Sequence, residues 1–123
     1  ERITMKQYQD AVAKRGALGV LMNRFHEKYD LLLTPTLPVP AFDAGKEFPG
    51  PAGKRRWTDW TPFSYPFNMT QQPAASIPCG LTRAGLPAGL HIVGPKYGDA
   101  LVLRAARAYE TTRPVAMPDL ARL

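Results

Sequence analysis

The chain has 123 residues, of which 45% are hydrophobic and 21% are charged, and its formal net charge is +6. This balance lies in the ordinary range of soluble globular chains, and neither a tandem repeat nor a low-complexity tract is present. No apolar run approaches the roughly 20 residues of a membrane-spanning helix, and the first residues lack the layout of a signal peptide. We therefore expect a cytoplasmic protein without membrane contact.

Cysteine and histidine are too few and too scattered to suggest a metal site. Cys79 is the single cysteine, so it cannot form an internal disulfide, and no second cysteine or histidine lies near it in the sequence. We interpret Cys79 as a small core residue, and His26 and His91 as structural residues. Neither a metal nor a cofactor is expected.

A short basic segment raises the question of a nucleic-acid partner. Lys54-Arg55-Arg56 precedes Trp57 and Trp60, and single-strand binders combine cations with aromatic faces in this way. Three basic residues in a loop rich in proline and glycine are more often a solvated turn, and the other basic residues are spread along the chain. We therefore expect no nucleic-acid partner, and a basic RNA-binding module is the alternative function from another class.

The first predicted element is a helix over residues 4–28. Thr4 followed three residues later by Gln7 has the form of a capping box, which satisfies backbone amides at the start of a helix. Apolar residues then recur at helical spacing, at Tyr8, Ala11, Leu18, Met22, Phe25 and Tyr29.

A strand is predicted next, over residues 31–34, because Leu31-Leu32-Leu33-Thr34 is an uninterrupted apolar run of the kind found in the middle of a sheet. The prolines that follow cannot donate to a ladder, so we predict a long loop over residues 35–61.

The second half of the chain predicts a hairpin and a helix. Thr61-Pro62 can open a short helical turn, with threonine as the cap. Strands are predicted over residues 74–79 and 88–93, joined as a hairpin or an adjacent pair. Asp99 is predicted to cap a last helix, which runs to about residue 110.

Three ordered blocks of the sequence resemble the closing blocks of the amidase signature family. They are Tyr29-Asp-Leu-Leu-Leu-Thr-Pro-Thr-Leu-Pro, Pro66-Phe-Asn-Met-Thr-Gln-Gln-Pro-Ala-Ala-Ser-Ile-Pro-Cys-Gly and Gly85-Leu-Pro-Ala-Gly-Leu-His-Ile-Val-Gly-Pro. The resemblance implies an α/β fold with a mixed central sheet and flanking helices. Residues 1–123 would be its C-terminal segment, incomplete as an independent domain.

The resemblance also implies amide hydrolysis by a serine that is activated through a cis-peptide serine and a lysine, all in a region upstream of these blocks. The serines here are Ser64 and Ser76, and neither is flanked by glycines as the family's nucleophile is. We therefore predict no catalytic residue in this chain, and no activity of the chain alone. The function expected is the non-catalytic part of a hydrolase that cleaves a carboxamide, and the alternative is the A subunit of a tRNA-dependent amidotransferase.

By its position in the family, the loop and turn around residue 64 would form part of the wall of the substrate cleft. The candidate substrate-binding residues are Thr61, Phe63, Ser64, Tyr65 and Asn68. The partners expected are the N-terminal catalytic portion of the same polypeptide, a small carboxamide and, as a further option, a second copy in a homodimer.

Other residues near this wall are interpreted differently. Thr34 and Thr36 are interpreted as turn formers. Gln71 stands where the family usually has glycine, so the backbone there must avoid a positive φ or accept strain. Amidotransferase A subunits carry an acidic residue at about the place of Thr61, and the neutral threonine favours a general amidase over a glutaminase.

Overall fold

The computed structural model describes residues 2–50 and 57–114. Its helices are α1 (Met5–His26), α2 (Tyr65–Thr70) and α3 (Asp99–Thr112), and a single 3₁₀ turn covers Trp57–Trp60. Its strands are β1 (Leu32–Pro35), β2 (Ala74–Leu81) and β3 (Pro87–Val93). The basic run of residues 54–56 lies outside the described residues.

The start of α1 is fixed by the capping box that the sequence predicts. The backbone amide of Gln7 donates to Thr4 Oγ1 at 3.2 Å, and the amide of Thr4 donates to Gln7 Oε1 at 2.8 Å. The helix ends at His26, and Glu27 is its C-cap. Met22 is the one buried residue of α1, because the helix packs mainly on the short helix α2 and meets the sheet through the cluster that Met22 forms with Phe67 and Val93.

The three strands form one antiparallel sheet in the order β1-β3-β2. Strands β2 and β3 are a hairpin whose turn is closed by the amide of Thr82, which donates to the carbonyl of Leu86 at 2.8 Å. The prediction that Leu31–Leu33 belongs to a central strand is wrong. In the sheet described here β1 is an edge strand and β3 is central, and Leu33 is 56% exposed.

One face of the sheet carries α3. The buried cluster there consists of Ile77 and Ile92 from the sheet and Val102 and Ala106 from the helix. The prediction that Asp99 caps this helix is wrong, because Gly98 is the N-cap and Asp99 is the first helical residue. At that position the carboxylate is still favourably placed near the positive end of the helix dipole.

The other face carries α1 and α2, and its buried cluster consists of Met22, Phe67 and Val93. Helix α2 begins after Ser64 and not after Thr61 as predicted, and Pro66 lies in its first turn, where its missing amide leaves no bond unmade. The helix ends at Thr70, and its C-cap Gln71 has a φ of 61°, which is in the left-handed region. The chain thus accepts the strained backbone at this position.

Several large apolar side chains remain exposed on α1 and just before it: Ile3, Met5, Tyr8, Val12, Val20 and Leu21. Within residues 2–50 and 57–114, no helix has both the length and the apolar content that crossing a lipid bilayer requires.

Candidate functional site

A cleft of about 950 Å³ lies at the end of the sheet where β1 and β2 end and β3 begins. One side is formed by the strand ends, and the other by the segment of residues 36–42 together with Trp60. The lining residues are Leu33, Thr34, Pro35, Thr36, Leu37, Pro38, Val39, Pro40, Ala41, Phe42, Trp60, Ser76, Ile77, Pro78, Cys79, Thr82, Pro87, Ala88, Gly89 and Leu90.

The outer wall of the cleft is held by an aromatic pair. The rings of Phe42 and Trp60 meet edge to face with centroids 5.1 Å apart, and Trp60 Nε1 donates to the carbonyl of Glu47 at 3.0 Å. Pro38 and Pro40 of this wall fix φ and have no amide hydrogen, so the backbone there has few accessible conformations and cannot donate to a neighbouring strand at these residues. The wall is therefore stiff for a connecting segment.

Two hydroxyl groups meet inside the cleft. Thr36 Oγ1 and Ser76 Oγ are hydrogen-bonded at 2.7 Å, and the amide of Thr36 donates to the carbonyl of Gly89 at 2.9 Å. A Cβ at position 89 would lie 2.6 Å from Thr36 Oγ1 and 3.1 Å from Ser76 Oγ. Glycine at this position is therefore what allows the two hydroxyls to come together across β3.

His91 lies beside this pair on the central strand. Its Nδ1 is 3.4 Å from Thr34 Oγ1, and its ring meets that of Phe67 with centroids 5.4 Å apart. Burial lowers the pKa of His91 below its usual value of 6.5, because the charged imidazolium loses hydration there. The neutral ring, able to donate or accept one hydrogen bond at each nitrogen according to tautomer, is the favoured form near neutral pH.

The described lining of the cleft contains no aspartate, glutamate, lysine, arginine or histidine. Cys79 is its only ionisable residue, and its thiol donates weakly to the carbonyl of Ala88 at 3.5 Å. No group of three or more potential metal ligands occurs in the part of the chain that the structure describes. The site offers hydroxyl groups, aromatic edges and aliphatic surface.

The five residues predicted to bind substrate lie together just after Trp60, on the turn that leads into α2 and on α2 itself. Thr61 Oγ1 donates to the carbonyl of Thr58 at 3.5 Å, and Asn68 Nδ2 donates to the carbonyl of Ser64 at 3.1 Å. Phe63 and Tyr65 are half-buried. None of the five lines the cleft.

The cleft is lined by other residues, for which the sequence predicts a different role or none. Thr34 and Thr36, interpreted as turn formers, line it, and so do Ser76 and Gly89. The alternation Thr34-Pro35-Thr36 is the sequence signal that indicates this lining, since residues two apart in a strand share a face. Pairing of Thr34 with His91 on β3 makes that face polar.

The sequence of residues 1–103 matches the sequence model of the Amidase family. An acylamidase of Rhodococcus erythropolis is 38% identical over 120 residues, a match that covers 94% of this chain and 25% of the acylamidase. The A subunit of a glutamyl-tRNA(Gln) amidotransferase from Myxococcus xanthus (strain DK1622) is 44% identical over 87 residues, which cover 71% of this chain and 17% of that relative.

The fold leads to the same group of proteins. The crystal structure of a bacterial aryl acylamidase of the amidase signature enzymes superposes with a TM-score of 0.78 and 31% identity, covering 92% of this chain and 24% of that one. The chain thus spans a quarter or less of the length of these relatives, at 25%, 17% and 24%. The family model matches most of the chain's length, and the relatives share these identities with it, so the chain belongs to the amidase signature family.

Proposed function

We propose that this chain is the C-terminal, non-catalytic part of a hydrolase that cleaves a carboxamide. The observation that carries the proposal is the family match over residues 1–103, in a segment whose described residues pair no serine with a base. In the described residues, neither serine hydroxyl bonds a lysine or histidine side chain, and the partner of Ser76 Oγ is Thr36. Nucleophilic hydrolysis needs such a base beside the hydroxyl.

The chemistry is proposed to come from an upstream serine, a cis-peptide serine and a lysine. The serine oxygen would attack the amide carbonyl while its proton passes through the cis-peptide serine to the lysine and on to the leaving nitrogen. Water would then hydrolyse the acyl-enzyme and release the carboxylic acid. The role proposed for this chain is to complete the sheet and to bind the substrate.

The wall proposed for the substrate consists of Thr61, Phe63, Ser64, Tyr65 and Asn68. Two observations support this wall. The five residues follow Trp60 closely in the chain, and Trp60 lines the cleft. Phe63 and Tyr65 are only half-buried. The N-terminal catalytic portion of the same polypeptide is the proposed partner. It would cover the apolar side chains of α1 and the open edge of β1.

Steady-state kinetics of the native-length protein with simple carboxamides test this function. We expect Phe63→Ala and Asn68→Ala to raise KM or lower kcat/KM, because both would remove contacts to substrate. Leu103→Ala is the matched control, since Leu103 is an exposed residue on α3. Absence of hydrolysis with any carboxamide, or an upstream sequence without the serines and lysine, would overturn the proposal.

A second candidate function is the A subunit of a tRNA-dependent amidotransferase, favoured by the 44% identity to the relative from Myxococcus xanthus. The two candidates differ in how they treat glutamine. An amidotransferase should release ammonia from glutamine, whereas the neutral Thr61 offers no electrostatic hold on the ammonium group of that substrate. Ammonia release from glutamine compared with a neutral carboxamide separates them.

We propose that the chain forms a homodimer with a second copy when it is isolated from the rest of the protein. Among the described residues no strand pairs with the outer edge of β1 or of β2, and large apolar residues such as Val12 and Leu21 are exposed. Unpaired strand edges and apolar patches favour self-association. Light scattering over a concentration series, with binding of a hydrophobic dye, tests it. A strictly monomeric mass without dye binding would contradict it.

A further inference from the structure

We propose that Arg15 is a positioning residue for the substrate wall, because it holds helix α2, which carries Tyr65 and Asn68, against helix α1. This inference rests on the proposed function and adds to it a residue outside the wall. Arg15 lies on α1, and its Nε donates to the carbonyl of Met69 in α2 at 2.8 Å. The two residues are 54 positions apart in sequence, so the bond ties together two elements that are not neighbours along the chain.

The carbonyl of Met69 lacks the backbone donor that a longer helix would supply. In an α-helix each carbonyl accepts from the amide four residues later, and here that residue is Pro73, which has no amide hydrogen. The amide of Gln72 donates instead to the carbonyl of Phe67 at 3.2 Å. Arg15 therefore completes a hydrogen bond that the backbone leaves unmade at the C-terminal end of α2.

Helix α2 depends on contacts of this kind. It has six residues, and so short a helix is not stable alone, because nucleation costs more than its few hydrogen bonds return. Phe67 packs with Met22 and Val93, but hydrophobic contact is non-directional. The helix ends in the left-handed conformation of Gln71, and a strained residue persists only where its surroundings hold it. The directional bond from Arg15 fixes where this last turn lies.

A shift of the last turn would reach the proposed wall directly. Asn68 precedes Met69 in the chain, and Asn68 Nδ2 donates to the carbonyl of Ser64 at 3.1 Å, one turn earlier. The side chain of Asn68 and the start of α2 would therefore move with Met69. Displacing substrate-positioning groups by as little as about 1 Å is enough to weaken the reaction.

The test compares two side chains that differ in one donor. In glutamine the amide nitrogen follows Cδ, as Nε does in arginine, so Arg15→Gln keeps a donor at that position. In methionine the same position is a methyl group, so Arg15→Met cannot donate. Arg24→Met is the matched control, because Arg24 is an exposed arginine on the same helix.

Steady-state ammonia release by the native-length protein from acetamide, hexanamide and benzamide measures the effect on the wall. Arg15→Met should raise KM by about two- to tenfold, the effect of one hydrogen bond, and leave kcat nearly unchanged. Arg15→Gln should stay within about twofold of the unmodified protein, and Arg24→Met should leave KM unchanged. A merely structural role would lower kcat instead, because loss of folded protein removes active enzyme without changing the KM of the remainder.

Hydrogen exchange tests the contact without any substrate. In the native-length protein, mass spectrometry follows the amides of residues 65–72, among them those of Asn68 and Gln72, which donate to the carbonyls of Ser64 and Phe67. If Arg15 holds this helix in place, its loss should make local opening easier. We expect several-fold faster exchange in Arg15→Met and no acceleration in Arg15→Gln.

Unchanged KM in Arg15→Met, in a protein that hydrolyses one of the three amides, would overturn the inference and leave the hydrolase intact. Equal effects of glutamine and methionine would also overturn it, since the hydrogen bond would then not be the cause. If no amide is hydrolysed, the proposed function fails and the wall fails with it, whereas exchange still shows whether Arg15 holds α2. If Arg15→Met does not fold, as judged by circular dichroism, Arg15→Lys replaces it with the same expectation, because lysine has a carbon where arginine has Nε.

Discussion

Helices α1 and α3 have similar apolar content, but they use it differently. In α3, Val102 and Ala106 are buried against the sheet, with Tyr109 packed beside them. In α1, the longer helix, Met22 is the one buried residue, and residues such as Val12 stay exposed. Helical spacing of apolar residues therefore identifies a helix, but the surface available for packing decides which residues are covered. We infer that the exposed side of α1 is an interface in the native-length protein.

The same substitution in the two helices tests this comparison most strongly. Val102 is 2% exposed and Val12 is 52% exposed. In the isolated chain, Val102→Ala should lower the free energy of unfolding by about 2 kcal/mol, from lost burial and the cavity that remains. Val12→Ala should change it by less than about 0.5 kcal/mol. Urea denaturation measures both.

The same two variants are then measured in the native-length protein. If upstream residues cover α1, Val12→Ala should become destabilising there, and Val102→Ala should keep its effect. A Val12→Ala variant that stays neutral at native length would show that α1 is a solvated helix and not an interface.

Two glycines extend the comparison. A Cβ at Gly94 would lie 2.6 Å from Val102 Cγ2, whereas one at Gly16 in α1 would have no atom within 4 Å outside its own helix backbone and neighbours. Gly94→Ala should destabilise by about 1–3 kcal/mol through overpacking. Gly16→Ala should stabilise by up to about 1 kcal/mol, because alanine favours helix. Thermal unfolding of both variants checks the opposite signs, and equal signs would refute the packing described for the two regions.

The strained end of α2 offers a smaller effect. Gln71 has a φ of 61°, which a side chain with a Cβ adopts only with strain. Gln71→Gly should stabilise the protein by about 0.5–1 kcal/mol. Gln71→Ala keeps the Cβ and should give no gain. Unchanged stability in the glycine variant would mean that the strain is relieved by another interaction.

The smallest effect expected is a change of stability with pH that results from the titration of His91. Burial lowers the pKa of His91 below 6.5 in the folded protein, so the unfolded chain binds a proton first as the pH falls. Stability is therefore unaffected above 6.5, decreases as the pH falls below 6.5, and levels off below the folded pKa. Urea unfolding of the wild type and His91→Asn at pH values on both sides of 6.5 isolates this contribution. Parallel pH curves would contradict it.

Local signals in the sequence identified most elements of the fold. The capping box of Thr4 and Gln7 is present, and the hairpin of β2 and β3 forms where the run around Gly85 separates two apolar stretches. The start of α2 was misplaced because Thr61-Pro62 and Ser64 with Pro66 carry the same kind of start signal. Only packing of Phe67 on the sheet chooses between them.

The cleft was harder to foresee than the elements. The leucine run of β1 indicates a buried strand, but its place at the edge depends on which strand pairs with β3. The roles of Thr36 and Ser76 depend on the same pairing, because they are 40 residues apart in sequence and meet only across Gly89. No local pattern specifies such a register.

The most direct test of the proposed function compares ammonia release from a neutral carboxamide by the native-length protein and by the isolated chain at high concentration. We expect turnover by the native-length protein and none by the isolated chain, since in the residues that the structure describes neither Ser64 nor Ser76 is paired with a base. Turnover by the isolated chain that is abolished by Ser64→Ala or Ser76→Ala would contradict the assignment of catalysis to upstream residues.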